Sequence, residues 1–170
     1  MTITRTWAMP AKYTFRCKPL LDILLRYKGM TTGIWADPFA GFHSPADLTN
    51  DLDPATPAHY HLEAIEFMHL HESVSLEGVV FDPPYSLTQV SRSYKGMGLQ
   101  FKGKENPTGG FPAVRDEIAR VVIPGGYVVS YGWNTVGMGK TRGFKAVEYL
   151  ICSHGGNRND TLVTVEQRSA

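Results

Sequence analysis

Few cysteines, no long apolar run and almost no net charge characterise this 170-residue chain. Its two cysteines, Cys17 and Cys152, form no motif with each other. They read as reduced thiols rather than a disulfide framework, and the expected compartment is the cytoplasm. No stretch of about 18 apolar residues occurs, so no membrane-spanning helix is expected. Met1 to Pro10 lack the apolar centre of a secretory signal. A formal net charge of +1 assigns no partner by itself, and the distribution of charge has to be read instead. Walker-type, HExxH and GxSxG patterns are missing, which removes support for ATPase, zinc-protease and serine-hydrolase readings. His59 with His61, and His69 with His71, have alternate spacing. On a helix this splits the second pair across faces, so no metal site is expected.

What is present is an ordinary globular balance, 42% hydrophobic and 19% charged residues. The length suits one hydrophobic core, and there is no repeat or long linker, so residues 1–170 are expected to form a single catalytic domain. Short apolar strands alternate with helical stretches, which predicts an α/β fold with a central, mostly parallel sheet. Residues 18–28 place Leu20, Leu21, Leu24 and Leu25 at helical spacing, with Pro19 near the start and Gly29 after the end. Strands are expected at 34–36, 46–52, 78–81, 127–133, 146–153 and 161–166, the last two paired antiparallel at an edge of the sheet. Further helices are expected at 62–71 and 112–123, the latter closed by Pro124-Gly125-Gly126.

Two turns at strand ends carry the chemistry. In open α/β sheets ligands bind beyond the carboxyl ends of the strands. Asp37, Asp51, Asp82 and Trp133 all fall at such ends, so one crevice can hold them. Asp82-Pro83-Pro84-Tyr85 follows the apolar run Gly78 to Phe81. The exocyclic amine of a base is a poor nucleophile because its lone pair is delocalised into the ring. A carboxylate and a backbone carbonyl that accept its two hydrogens draw the nitrogen toward a tetrahedral form. Asp82 and the carbonyl of Pro83 suit that task, Pro83 and Pro84 stiffen the chain, and Tyr85 can stack on the base. Asp37-Pro38-Phe39-Ala40-Gly41 is a turn with small residues where a ligand must approach the backbone.

These motifs resemble those of the class I S-adenosylmethionine-dependent amino-methyltransferases, and the chain looks most like small phage-type adenine-specific DNA methyltransferases. The resemblance implies a Rossmann-like fold, S-adenosylmethionine as cofactor, and direct in-line transfer to adenine N6 with Asp82, Pro83, Pro84 and Tyr85 as the catalytic set. It also implies a cofactor site formed by Phe15, Lys18, Asp37, Pro38, Phe39, Ala40, Gly41, Asn50, Asp51, Glu63 and Ala64. Asp53 competes with Asp51 for the ribose. His43 replaces the second glycine usual in the cofactor motif, and Glu63 stands where aspartate is more common. Asp rather than Asn at the head of the catalytic motif separates it from protein-glutamine methyltransferases.

The separate target-recognition segment common in that family has no counterpart here. Two basic stretches free of acids are expected to meet phosphates: 86–104 with Arg92, Lys95, Lys102 and Lys104, and 134–145 with Lys140 and Arg142. The expected partner is DNA, with RNA or another base amine as the alternative substrate. A catalytically silent nucleic-acid-binding subunit is the rival outside the enzymes. Either specificity is low and short, or a homodimer completes the DNA surface. His154 to Asn159 reads as a hairpin turn rather than a substrate contact. For Trp133, packing and substrate contact remain open.

Overall fold

The computed structural model describes residues 1–96, 98 and 111–170. One seven-stranded sheet organises the chain. In sequence the elements are β1 (Thr2–Trp7), α1 (Lys18–Lys28), β2 (Trp35–Asp37), β3 (Leu48–Thr49), α2 (Ala64–His69), β4 (Leu76–Phe81), α3 (Leu87–Gly96), α4 (Pro112–Val121), β5 (Val122–Gly132), β6 (Phe144–Ser153) and β7 (Thr161–Arg168). Across the sheet the order is β1-β6-β7-β5-β4-β2-β3. Every pairing is parallel except those of β7, which runs antiparallel between β5 and β6. This is the expected Rossmann-like α/β architecture.

Strand alternation sends neighbouring side chains to opposite faces, and each face has its own core. Val80 and Val129 join Leu20, Ile23, Leu24 and Tyr27 of α1 on one side. Val79 and Val128 join Phe67 of α2 and Ile118 of α4 on the other. A sheet covered on both faces explains why β4 reads as an unbroken apolar run. Tyr27 and Arg26 of α1 each donate a 2.8 Å hydrogen bond to the Glu148 carboxylate on β6. Burial alone would raise that carboxyl, but these donors outweigh it and hold it below the usual range.

Several expectations are corrected. The pair 144–153 and 161–168 is antiparallel, but β7 lies inside the sheet and β6 is not its edge, because β1 pairs with β6. β1 itself escaped notice: its residues are nearly all exposed, so it carries no apolar signature. The strand anticipated at 46–52 shrinks to Leu48–Thr49. Pro124-Gly125-Gly126 does not follow a helix ending at 123. The helix stops at Val121, β5 starts at once, and the Pro-Gly-Gly segment bulges out between the pairings Leu76–Val122 and Gly78–Tyr127. Within the stretch 86–104, read as a basic loop, residues 87–96 form α3.

Gly78 marks the closest packing in the sheet. A methyl group there would overlap the ring of Trp35, which is fully buried. Gly78→Ala is therefore expected to destabilise the protein by about 1–3 kcal/mol through overpacking. Urea unfolding of the two proteins at equal pH measures this. An unchanged midpoint would show that Trp35 moves aside freely.

Candidate active site

Beyond the carboxyl ends of β2, β4 and β5 lies a cleft of about 1600 Å³. Its floor comes from the two motif loops. Phe15, Pro38, Phe39, Ala40, Gly41, Asp51, Glu63, Ala64, Asp82, Pro83, Pro84 and Tyr85 all line it. Thus most of the residues expected to bind a cofactor or act in catalysis, far apart in the chain, line one cleft.

The loop after β2 is held from below. Asp37 is fully buried and accepts hydrogen bonds from the Phe39 amide at 2.9 Å and the Ser44 hydroxyl at 2.6 Å. Burial, opposed by those two donors, pushes its carboxyl up to about 7. Asn50, also buried, donates to the carbonyls of Pro38 and Leu62 and accepts from the Leu62 amide. Asp37 and Asn50 therefore shape the loop rather than line the cleft. Gly41 has a φ of +55°, and a Cβ added there would meet nothing within 4 Å. The loop needs glycine for its conformation and leaves room above it. Asp51 accepts the Gly41 amide at 2.8 Å and the Asp53 amide at 2.9 Å, which fixes its carboxylate at the rim. Glu63 accepts from the Tyr94 hydroxyl of α3 at 3.1 Å. His43, in the place of the second glycine, also lines the cleft and packs edge-on against Tyr13 with ring centroids 5.0 Å apart.

At the end of β4 the Tyr85 hydroxyl donates to Asp82 Oδ1. Burial raises the Asp82 carboxyl above its ordinary value, against the pull of hydrogen bonds from Thr14 and Tyr85. The Tyr85 ring meets that of Trp133 at 5.6 Å in an edge-to-face arrangement. Trp133 lines the cleft and is 42% exposed. Two aromatic rings in contact with each other thus stand beside the Asp82 carboxyl.

Some expected residues stand elsewhere. Lys18 is exposed and pairs with Asp22 one turn along α1 at 2.7 Å, and it does not line the cleft. Arg142 is engaged with Asp116 at 2.7 Å and with the Met138 carbonyl. Lys95 and Lys140 are exposed and outside the cleft lining. The side chain of Arg92, and Lys102 and Lys104, lie outside the described residues. The sequence did not show Thr14 as a partner of Asp82. The segment His154 to Asn159, expected as a hairpin turn, does join antiparallel β6 and β7, and His154, Arg158 and Asn159 also line the cleft. Cys17 and Cys152, unrelated in sequence, are both free, buried and adjacent. Burial, and the neighbouring Cys17, push the Cys152 thiol up to about 12.

The fold is a Rossmann-like α/β sheet with its cleft beyond the carboxyl ends of the parallel strands. No known family profile and no curated protein matches the sequence. Among solved structures the chain is similar to 1,6-didemethyltoxoflavin-N1-methyltransferase of Burkholderia thailandensis. The ligands in that structure are 1,6-didemethyltoxoflavin and S-adenosylhomocysteine, and the TM-score is 0.61 at 10% identity over 90% of this chain and 78% of that one. It is also similar to the N-methyltransferase NodS of Bradyrhizobium japonicum, with TM-score 0.54 at 12% identity over 88% and 94% of the two chains. TrmN of Thermus thermophilus gives a TM-score of 0.53 at 16% identity over 89% of this chain and 49% of that one. At such identities the likeness is one of fold. Among the described residues no helix is long and apolar enough to cross a membrane.

Proposed function

We propose that this protein uses S-adenosylmethionine to methylate the N6 amine of adenine in DNA. The observation that carries the reading is the placement of Asp82 to Tyr85 on the wall of the same cleft as the loop Pro38 to Gly41. The cleft suits the cofactor. Gly41 leaves open space for a close approach, and Asp51, Glu63 and Asp82 line the same cleft with carboxyl groups suited to a cationic ligand. Phe15, Pro38 to Gly41, Asp51, Glu63 and Ala64 would hold it. When bound, S-adenosylmethionine supplies an electrophilic methyl group.

The chain's own residues prepare the acceptor. Asp82 and the Pro83 carbonyl accept the two amine hydrogens and free the nitrogen lone pair. The Tyr85 hydroxyl, now on Asp82, turns from it as the base enters. Tyr85 and Trp133 offer aromatic surface to the base, which must leave the helical stack to reach them. Buried Asp82, with its raised proton affinity, suits the uptake of the amine proton released on transfer. The work is positioning and hydrogen bonding in place. Arg158, exposed on the cleft wall, is suited to a phosphate.

The test is methyl transfer from labelled S-adenosylmethionine to unmethylated genomic DNA, with nucleosides resolved by mass spectrometry. N6-methyladenine is the expected product. Label in RNA alone, or on cytosine, would overturn the substrate assignment, and cofactor binding without any product would favour a silent binding subunit. Trp133→Ala is expected to raise KM for DNA roughly 5- to 150-fold, the value of about 1–3 kcal/mol for one stacked base. Its kcat should change little. Steady-state kinetics with varied DNA checks this, and an unchanged KM would remove Trp133 from the base site.

A further inference from the structure

We infer that Cys17, Cys152 and His154 form a site for one soft or borderline divalent metal ion, with Zn²⁺ the best match to the ligand set. One ligating atom from each residue lies within 4.8 Å of the other two. Tetrahedral zinc, with bonds of about 2.3 Å to sulfur and about 2.0–2.1 Å to nitrogen, needs ligand atoms about 3.5–3.8 Å apart, so the three groups would close on the ion by up to about 1 Å. The three groups come from separate parts of the fold. Cys17 caps the start of α1. Cys152 ends on β6, and His154 follows two residues later, so extended chain places both on one side.

The histidine is oriented as a ligand would be. Its Nδ1 lies 3.0 Å from the carbonyl oxygen of Ala8. A carbonyl only accepts, so Nδ1 carries the proton and Nε2 keeps its lone pair. Nε2 now accepts from the hydroxyl of Thr161 at 2.9 Å, and Thr161 is the cross-strand partner of Cys152. The unprotonated nitrogen therefore faces the side of the sheet that bears the thiol, and would exchange its bond from Thr161 for the metal. A backbone carbonyl fixing one ring nitrogen while the other meets a metal is the usual outer-sphere support of such sites.

Charge and protons balance. Each thiol loses its proton to solvent as a sulfur–metal bond forms, Nε2 gives its lone pair, and nothing is oxidised or reduced. Two thiolates and a divalent ion sum to zero, which a buried site requires. Access exists, because Cys17, His154 and Thr161 line the cleft. That leaves a fourth position for water or a ligand in the cleft, the open geometry of Cys₂His sites. The ion would tie α1 to the β6–β7 connection at the edge of the cleft. The inference stands apart from the methyl-transfer reading and needs no activity to be tested.

Reduced, chelator-treated protein would be titrated with Co²⁺ and then Zn²⁺ without oxygen. One equivalent of Co²⁺ is expected to give tetrahedral visible bands and a thiolate charge-transfer band, both abolished by Zn²⁺. Zn²⁺ should also raise the melting temperature of the wild type. Cys152→Ser and His154→Gln, checked for folding by circular dichroism without metal, should lose the charge-transfer band or weaken binding at least about tenfold. A wild type with no thiolate band at stoichiometric Co²⁺ would overturn the proposal. So would equal binding by Cys152→Ser, or thiols that only oxidise to a Cys17–Cys152 disulfide and take up no metal.

Discussion

Asp82→Asn is expected to lower single-turnover methyl transfer about 10²- to 10³-fold while S-adenosylhomocysteine binds within a few-fold of the wild type. The magnitude is that of removing one preorganised hydrogen-bonding group from a site where charge develops. The two side chains have nearly the same shape, so the loop after β4 should keep its course. Stability should not fall either, because the substitution removes a buried carboxylate. What changes is the chemistry offered to the amine. Asparagine can accept with one atom only, and its other terminus is a donor pointed at a donor. The Tyr85 hydroxyl, which donates to Asp82 Oδ1, would compete for the one remaining acceptor.

Two further readouts separate this role from a structural one. Tyr85→Phe removes the competing hydroxyl but keeps the ring, and should retain most activity. Tyr85→Ala removes the ring and should resemble Trp133→Ala in raising KM. Isothermal calorimetry with S-adenosylhomocysteine and rapid-quench kinetics with DNA provide the measurements. Turnover of Asp82→Asn within about fivefold of the wild type would mean that the carboxylate does not activate the acceptor.

Much of this site was legible because its signals are local. An apolar run followed by Asp82-Pro83-Pro84-Tyr85 identifies a buried strand and the turn beyond it, and β4 with its loop follows that reading. The leucine spacing of α1 and the amphipathic pattern of α4 likewise need no tertiary knowledge. What stayed hidden depends on partners distant in sequence. β1 is held by backbone bonds to β6, and all its residues but Thr6 are exposed. β7 enters the middle of the sheet because both β5 and β6 accept it, which no pattern within 161–168 encodes. The surroundings of the basic residues were hidden for a related reason. Arg142 looks free in sequence, but the fold brings Asp116 to it. The same folding gathers Cys17, Cys152 and His154, which the chain holds far apart. The turn from His154 to Asn159 looked like a plain hairpin because Asn and Gly suffice to explain one. Its place on the cleft wall comes from where β6 and β7 end.

Asp37→Asn is expected to be more stable than the wild type at about pH 8, by up to roughly 4 kcal/mol, and no more stable below about pH 4. The reason lies in the proton that the fold retains. Buried at the end of β2, the Asp37 carboxyl is pushed from 3.8 to about 7, chiefly by desolvation, with Asp82 and Asp51 adding repulsion. Between those two values the folded protein holds a proton that the unfolded chain has released. Stability contributed by this group therefore falls as pH rises through the window, and the full cost is reached above about pH 7. Asparagine has no proton to lose. It can still accept from the Phe39 amide through Oδ1, and the Ser44 hydroxyl can rotate to accept from Nδ2. Asp47 and Glu148, held below their ordinary values, act in the opposite direction and lose stabilising charge as pH falls. They are common to both proteins, so the difference between the two urea midpoints, not either alone, isolates Asp37. A difference that does not change from about pH 5 to about pH 8 would show that Asp37 titrates normally. A difference that grows would place a destabilising carboxylate directly beneath the loop from Pro38 to Gly41. Stability given up at that point is the expected mark of a loop shaped for a ligand rather than for the fold. Binding of a cation above the loop would then relieve part of the cost, and S-adenosylhomocysteine, which lacks the sulfonium charge, should relieve less of it than S-adenosylmethionine at the same saturation.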